Sequence, residues 1–546
     1  MDNFPLIAVR AVHFAATAVS GGVVLFLVAV LRPALAETRE AEADAAEFHA
    51  RCIRLASGSV AVVLVTALLW AMLEAAAMSG ESFGAALRAG LLWTVLGQTT
   101  FGLSTDVRFG LALLLAISLA LTGAHRGMLW LGLAAAAGLL GGLAWTGHAA
   151  ATEGWTGTLH RVADVLHLLA AGAWIGSLVP LAMVLTIARR RADRRWAAIA
   201  RGATARFSTI GVISVGTLLA TGIVNTWILS GTLPALFGTG YGHLLLIKIG
   251  LFAAMVTLAA VNRLRLTPHL ADPQGSTSWR HASYRLTRNA IAETALGLAI
   301  FAVVGALGIL VPGLHDQPTW PFPYRLAGQF AGDPALDGTT LLALGVTLVG
   351  ICLIVGGLFW REMRWPMLIG GAVLAANFGT GLGSLFVEAY PTTFYASPTG
   401  YAASSIAHGR DLFAEHCVAC HGVGGRGDGP AAANMAIKPA DLVADHVYAH
   451  TDGDLFWWIG HGIGTAMPGF AAVLDDDARW NLVDFIHANA DAAHLKAAAG
   501  TVSANGYPAP TFSADCPDGS SISIEDLHGQ IVHVAVGVFS PDLINA

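Results

Sequence analysis

Ten apolar stretches leave this chain one kind of fold. Runs long enough to cross a bilayer as helices lie at roughly 6–31, 53–78, 107–124, 128–147, 162–188, 206–230, 243–262, 288–311, 338–360 and 365–387. Within hydrocarbon the backbone must satisfy its own polar groups, and a helix does this inside one segment. With 55% hydrophobic and only 12% charged residues, the chain has too little polar surface to bury ten such runs in a soluble core. The expected architecture is all-α: a polytopic transmembrane bundle of about ten spans, followed by a small helical domain. Residues 84–100 are apolar but short and carry Arg88 and Gln98, so they predict an interfacial or re-entrant piece and not an eleventh span.

Basic residues give the expected orientation, because Lys and Arg gather in cytoplasmic loops. Arg32, Arg39, Arg51 and Arg54 follow the first span; Arg189, Arg190, Arg191, Arg194, Arg195, Arg201 and Arg206 follow the fifth. Arg263, Arg265, Arg280, Arg285 and Arg288 follow the seventh, and Arg361 and Arg364 the ninth. The alternate loops are poor in positive charge: none falls in 231–242 and only Arg325 in 312–337. This pattern places the N-terminus outside and, after ten crossings, residue 390 outside as well. Ala34-Leu35-Ala36 imitates a signal-peptidase site, but the preceding apolar run exceeds that of a signal sequence. Cleavage there would leave nine spans and put the following domain in the cytoplasm.

That domain, residues 401–495, contains Cys417-Val418-Ala419-Cys420-His421, the attachment signature of a c-type haem. The two thiols form thioethers to the haem and the adjacent imidazole ligates iron. Because haem c is attached outside the cytoplasmic membrane, the motif and the charge pattern agree on sidedness. A thiol redox pair or half a zinc site would explain neither the immediate histidine nor the Met467 that follows, and the chain has no second Cys pair for zinc. Met467, in Thr465-Ala466-Met467-Pro468-Gly469-Phe470, is the expected sixth ligand, with Met435, His446, His450 and His461 as competitors. Ser404 to His416 is predicted to be the helix leading into the motif and Asp476 to Asn489 the closing helix. The glycines of 422–429 allow tight passage at the haem edge; no strand or Gly-Lys-Ser/Thr accompanies them, so a phosphate loop is disfavoured. Twelve Asp and Glu against four Lys and Arg give 401–495 a net charge of −8, which suits basic redox partners or cations and argues against nucleic acid.

Polar groups inside apolar spans are costly and mark partners or functions. His148 closes the fourth span, and His160, Asp164 and His167 follow at i, i+4 and i+7, on one helical face near the outer surface. Imidazoles with a carboxylate suit a transition metal such as copper, with Asp164 as ligand or as the acceptor that orients an imidazole. His13 and His243 also fall on the outer half and are weaker candidates. Two other readings stay open. The histidines can simply hydrogen-bond helices together, or His13 or His243 can face His167 across a membrane haem b. No methionine ladder for Cu(I) and no His-His pair of a haem–copper oxidase occurs.

Several segments carry a family resemblance: Gly147-His148-Ala149, Ala163-Asp164-Val165-Leu166-His167-Leu168-Leu169-Ala170, Trp174-Ile175-Gly176, Lys248 through Asn262-Arg263-Leu264-Arg265, Glu293 through Leu310-Val311-Pro312, and Trp320-Pro321-Phe322. They resemble the copper resistance protein D (CopD) family over residues 1–330, eight spans. The resemblance implies a copper-handling permease of the bacterial inner membrane. With two added spans (331–390) and the cytochrome domain, the whole is similar to CopD–cytochrome c fusions. Residues 505–546 resemble the opening of a redoxin domain (Ala509-Pro510-Thr511-Phe512), but they stop after about 40 residues and lack Cys-x-x-Cys, so Cys516 receives no role. Cys52 and Cys352 are expected to be unpaired packing residues.

The leading expectation is therefore a copper transport or homeostasis protein, a transporter with an electron-transfer domain more than an enzyme, with one covalent haem c. Its partners would be copper ions, a periplasmic copper-binding protein or redox carrier, and the lipid bilayer. The alternative is a respiratory cytochrome that passes electrons between a quinol or membrane haem and a periplasmic carrier. A plain anchor would not need ten spans.

Overall fold

The apolar runs fold as helices. The computed structural model describes residues 4–36, 42–123, 125, 127–191, 193–327, 338–359, 362–379, 385–499, 513–515 and 521–523. The chain divides into two units, Met1–Gln317 and Pro318–Ala546.

The first unit contains eight long helices: α1 (Phe4–Leu25), α2 (Glu42–Ser79), α3 (Thr100–Ala120), α4 (Met128–Gly141), α5 (Gly154–Arg191), α6 (Arg194–Ser230), α7 (Gly240–Val261) and α8 (Thr277–Leu307). Each is apolar over enough length to span a bilayer, α4 once the 3-10 turn Gly142–Trp145 extends it. The α1 span is the most enclosed, with 78% of its apolar window buried against 11% for the α7 span, so α1 is central and α7 peripheral. After Leu25 the α1 chain widens into a π-helix, Phe26–Leu31. Val23, Val24, Phe26 and Leu27 are fully buried there.

Small residues let α1 and α5 touch backbone to backbone. A β-carbon on Gly22 would meet the backbone of Gly172 and Gly176, and one on Gly176 would land on the Ala18 carbonyl. Ser177 Oγ donates to the Gly22 carbonyl at 2.9 Å across this contact. In membranes, close packing of this kind replaces the hydrophobic drive that operates in water.

Residues 84–100 hold two short helices, Phe83–Arg88 and Leu91–Gln98, separated by Gly90 at φ 70°. As expected, this piece is no span.

In the second unit, α9 (Gly338–Phe359) is long and apolar enough to span, whereas α10 (Arg364–Gly379) is shorter, at 16 residues. Among the described residues nine helices thus meet the length of a crossing, one fewer than the ten expected. Two short strands flank α9 and α10. β1 (Tyr324–Leu326) pairs antiparallel with β2 (Phe386–Glu388), and Ala327 N–H donates to the Leu385 carbonyl at 2.8 Å. The chain leaves this strand pair at 327 and returns to it at 385.

The soluble end of this unit packs α11 (Ala403–His416), α12 (Asp452–His461) and α13 (Asp476–Ala499) around Phe413, Val447, Leu455, Phe456, Trp480, Leu482 and Val483. Phe456 and Trp480 stack at 4.3 Å. The leading helix matches its expected bounds to one residue, and the closing helix runs on past Asn489 to Ala499. Thr451 and Asp454 form a reciprocal capping box at the start of α12. The same corner binds the segment after β2: Thr393 Oγ1 donates to Asp454 Oδ1 at 2.5 Å, and Thr451 Oγ1 to the Thr393 carbonyl at 2.7 Å. Of the expected redoxin-like tail, the described residues form one antiparallel pair, β3 (Ser513–Asp515) with β4 (Ser521–Ser523). Cys516 and most of 505–546 lie outside the described residues.

Candidate functional site

The Cys-x-x-Cys-His segment forms a single helical turn, Val418–His421, after α11. Its carbonyls are taken up by the glycine loop behind it: Gly427 N–H donates to the His421 carbonyl at 2.9 Å, and Gly429 N–H to that of Cys420 at 3.1 Å. Gly422, Gly425 and Gly427 all have φ between 73° and 77°, the left-handed region that glycine tolerates. His421 Nδ1 lies 3.1 Å from the Ala440 carbonyl oxygen, which fixes the ring and leaves Nε2 for a metal. Burial lowers the imidazole from its ordinary value, partly offset by the Ala440 carbonyl, and favours the neutral ligating form. Cys417 and Cys420 are free thiols, not a disulfide. Burial, with Cys420 adding to it, pushes the Cys417 thiol up to about 11, opposite to the depressed value of a redox-active pair.

Met467 is held by a loop that folds back on the end of α12. Ile463 and Met467 exchange backbone hydrogen bonds at 3.0 and 3.3 Å, and Phe470 N–H donates to the Ile459 carbonyl at 2.9 Å. Gly462 at φ 81° makes the turn, and a β-carbon there would strike the Met467 carbonyl. Met467 packs against the same apolar cluster as Cys417 and Val418. Two of the competitors have aromatic partners of their own: His461 stacks on Trp457 at 3.5 Å, and His450 packs edge-on to Trp458 at 4.6 Å. Cys417 and Met467 on one apolar core, with Cys420 and the neutral imidazole of His421 in the adjoining turn, fit a haem c.

In the first unit, His148, His160, Asp164 and His167 line one cavity of about 800 Å³ at the end of the bundle opposite the arginine-rich loops. His160 Nδ1 lies 3.1 Å from Thr152 Oγ1, and His167 Nδ1 2.9 Å from Thr221 Oγ1. Asp164 Oδ1 accepts from Asn225 Nδ2 at 2.7 Å, and His148 Nε2 lies 3.4 Å from the Leu307 carbonyl oxygen. Each polar group thus has its own partner. Among the described residues no three His, Cys, Asp or Glu side chains are gathered closely enough to hold a metal ion. The cavity brings the four expected residues together as lining, not as a formed coordination sphere.

The two weaker candidates lie elsewhere. His13 is completely buried, with Nδ1 2.9 Å from Thr66 Oγ1 and Nε2 3.3 Å from an Arg108 Nη1. Its ring packs edge-on to Trp70 at 5.4 Å, so it knits α1, α2 and α3 together. His243 Nε2 lies 2.7 Å from the Phe237 carbonyl oxygen at the start of α7, and neither residue lines the cavity.

Sequence reading missed Arg10, Lys248, Asn225 and Tyr241, which share the cavity wall. The first two were visible as charges within apolar runs. With imidazoles neutral, Arg10 and Lys248 against Asp164 leave the lining at +1. Most of the wall is apolar. Ile223 and Trp227 on it are 62% and 75% exposed, so the cavity opens where lipid would lie.

A helix bundle with a polar-tipped cavity, joined to a helical domain carrying Cys-x-x-Cys-His, defines a multi-pass membrane protein with a c-type cytochrome module. Comparisons with known proteins resolve both halves. Residues 1–158 match the copper resistance protein D-like N-terminal domain, 201–307 match copper resistance protein D, and 404–486 match the cbb3-type cytochrome c oxidase subunit III domain, which implies haem c. The chain is 30% identical over 254 residues to the inner membrane protein YebZ of Escherichia coli, covering 45% of this chain and 83% of that one. It is 29% identical over 273 residues to copper resistance protein D of Pseudomonas syringae pv. tomato, covering 48% and 84%. The copper transport protein CutJ of Bacillus subtilis is 29% identical over 277 residues, covering 50% of this chain and 48% of CutJ, so the match spans about half of that relative. This chain belongs to the copper resistance protein D family and carries a cytochrome c domain at its C-terminal end. No solved structure matches it.

Proposed function

We propose that the protein handles copper at the bacterial inner membrane, with its N-terminus and haem domain on the periplasmic side. The observation that carries this reading is the convergence of His148, His160, Asp164 and His167 on one cavity of a copper resistance protein D bundle. Imidazole suits copper, and a carboxylate beside it offsets part of the cation's charge. Asn225 and Thr221 orient Asp164 and His167 within that wall. Arg10 and Lys248 oppose a bare cation. Copper would therefore enter paired with anionic ligands, or after small rotations that bring the imidazoles inward.

In the cytochrome domain, Cys417 and Cys420 would carry the haem, with His421 and Met467 as axial ligands. The group supplies one-electron redox chemistry when bound. The Ala440 carbonyl orients His421, the glycine loop keeps the motif in its single turn, and the Ile463–Met467 loop presents the thioether.

The test is copper content of cells expressing wild type or a His148/His160/His167→Ala variant at matched membrane level and haem content. Wild type should raise copper accumulation and the variant should not; unchanged copper in both would sink the reading. The lipid-side opening and apolar wall favour a second reading, a quinol site feeding the haem. Quinol-dependent reduction of the haem in membranes, lost on His167→Ala, would select it.

A further inference from the structure

Glu293 lies in α8, is 1% exposed, and has no part in the cavity above. It lines a second cavity of about 250 Å³ toward the arginine-rich end, together with Trp174, Thr204, Ser208, Asn262 and Arg263. Its Oε1 accepts from Asn262 Nδ2 at 2.7 Å, while Asn262 Oδ1 accepts from Asn289 Nδ2, also at 2.7 Å. The two amides form an oriented chain that fixes Oε1 as an acceptor. Oε2 is buried without a well-formed hydrogen bond, and the Trp174 side chain interacts with the same carboxyl.

The backbone supports this placement. Asn262 opens a π-helix, Asn262–Leu266, whose first carbonyl accepts from Thr267 Oγ1 at 2.8 Å. This π turn ends α7 and leads into a 3-10 turn, Thr267–Ala271.

A carboxylate at this depth needs a counter-ion or a proton. The elements packed against α8 carry Arg10 and His13 on α1, His160, Arg161, Asp164, His167, Arg189, Arg190 and Arg191 on α5, His243 and Lys248 on α7 and, just beyond it, Arg263, Arg265 and His269. Of these only Arg263 lines the cavity, and its Nη1 donates to Ser208 Oγ at 2.7 Å. A soft copper ion gains little from one carboxylate oxygen. A proton on Oε2 removes the buried charge.

Trp174 connects the two spaces. It is 1% exposed, packs edge-on to Phe252 at 6.2 Å, and lines both cavities. One indole therefore separates the histidine cavity from the glutamate cavity.

We propose that Glu293 is an intramembrane proton-binding site at the inner end of a two-cavity path, with Trp174 as the partition. The exchange is –COOH ⇌ –COO⁻ + H⁺ at Oε2, with the proton passing to and from the arginine-rich side. Where copper crosses, this proton is what its movement is coupled to. That coupling rests on the transport reading; the proton site does not.

Two measurements on the full-length protein test this. Infrared difference spectra over a pH titration should show a buried carboxylic-acid C=O band that is absent from Glu293→Gln and shifted in Glu293→Asp. The glutamine variant keeps the side-chain shape, and monodispersity in detergent checks its fold. Absence of a titrating band assignable to Glu293 overturns the site. In proteoliposomes with a lumenal pH dye, copper entry should move protons in wild type, and Glu293→Gln should lose that movement. Copper entry with undiminished proton movement in the variant overturns the coupling. If wild type moves no copper, the transport reading fails and the infrared band alone decides the proton site.

Discussion

Replacing Met467 by His exchanges a neutral soft sulfur for a nitrogen donor at one haem face. Thioether ligation raises the reduction potential relative to a second histidine. The expected outcome is a lower midpoint in a redox titration of Met467→His, with haem content kept because Cys417 and Cys420 are untouched. Replacement of Met435 should leave the midpoint unchanged. His450 offers a different test. Burial holds its imidazole below the ordinary value, Asp454 pulls it upward, and His446 and Arg325 push it down again. The unfolded chain therefore takes up the proton first as pH falls. Stability from this residue is fully present above about pH 6.5 and is lost as pH drops below it toward the folded value. Thermal unfolding followed by haem absorbance should show a shallower loss on acidification in His450→Phe, which keeps a ring on Trp458. The Cys-x-x-Cys-His turn was legible in the sequence because attachment chemistry fixes its spacing, whereas Met467 is proposed from its loop alone. The cavity residues were legible only in part: the i, i+4, i+7 spacing put His160, Asp164 and His167 on one face, but no spacing shows which other helix that face meets. Arg10 and Lys248 arrive from α1 and α7, and His13, equally polar in sequence, turns to Thr66 and Arg108 instead.

At the scale of elements, the α1–α5 contact is a point where the bundle tolerates little. Gly22→Leu or Gly176→Val has no space to enter, because the neighbouring atoms are backbone. Either should cost at least the ~1–3 kcal/mol of an overpacked core and reduce the detergent-stable yield, whereas Gly58→Ala, with nothing within 4 Å of the added carbon, should be neutral. Fluorescence-detected gel filtration would separate the two outcomes. Helix existence could be read from apolar length, but helix ends could not. α2 begins at Glu42, well before the apolar run near residue 53, because an amphipathic turn carrying Phe48 packs on Trp196 at 6.0 Å. Such an extension is decided by a distant partner and leaves no local mark.

For the whole molecule, charge and connectivity set what the cytochrome domain can meet. Its net charge of −8 over 401–495 should make reduction by a basic soluble cytochrome slow down as salt rises, a dependence that stopped-flow absorbance would follow. Connectivity has a less obvious consequence. Ala327 and Leu385 are hydrogen-bonded neighbours, so α9 and α10 sit on a closed loop whose two ends are already spliced together by β1 and β2. Such a loop is a cassette. Excising residues 328–384 and joining the ends with a short turn removes both helices without changing which face of the membrane receives the haem domain. A truncated chain of this design should still acquire covalent haem, since the parity of its crossings, unlike their number, is untouched.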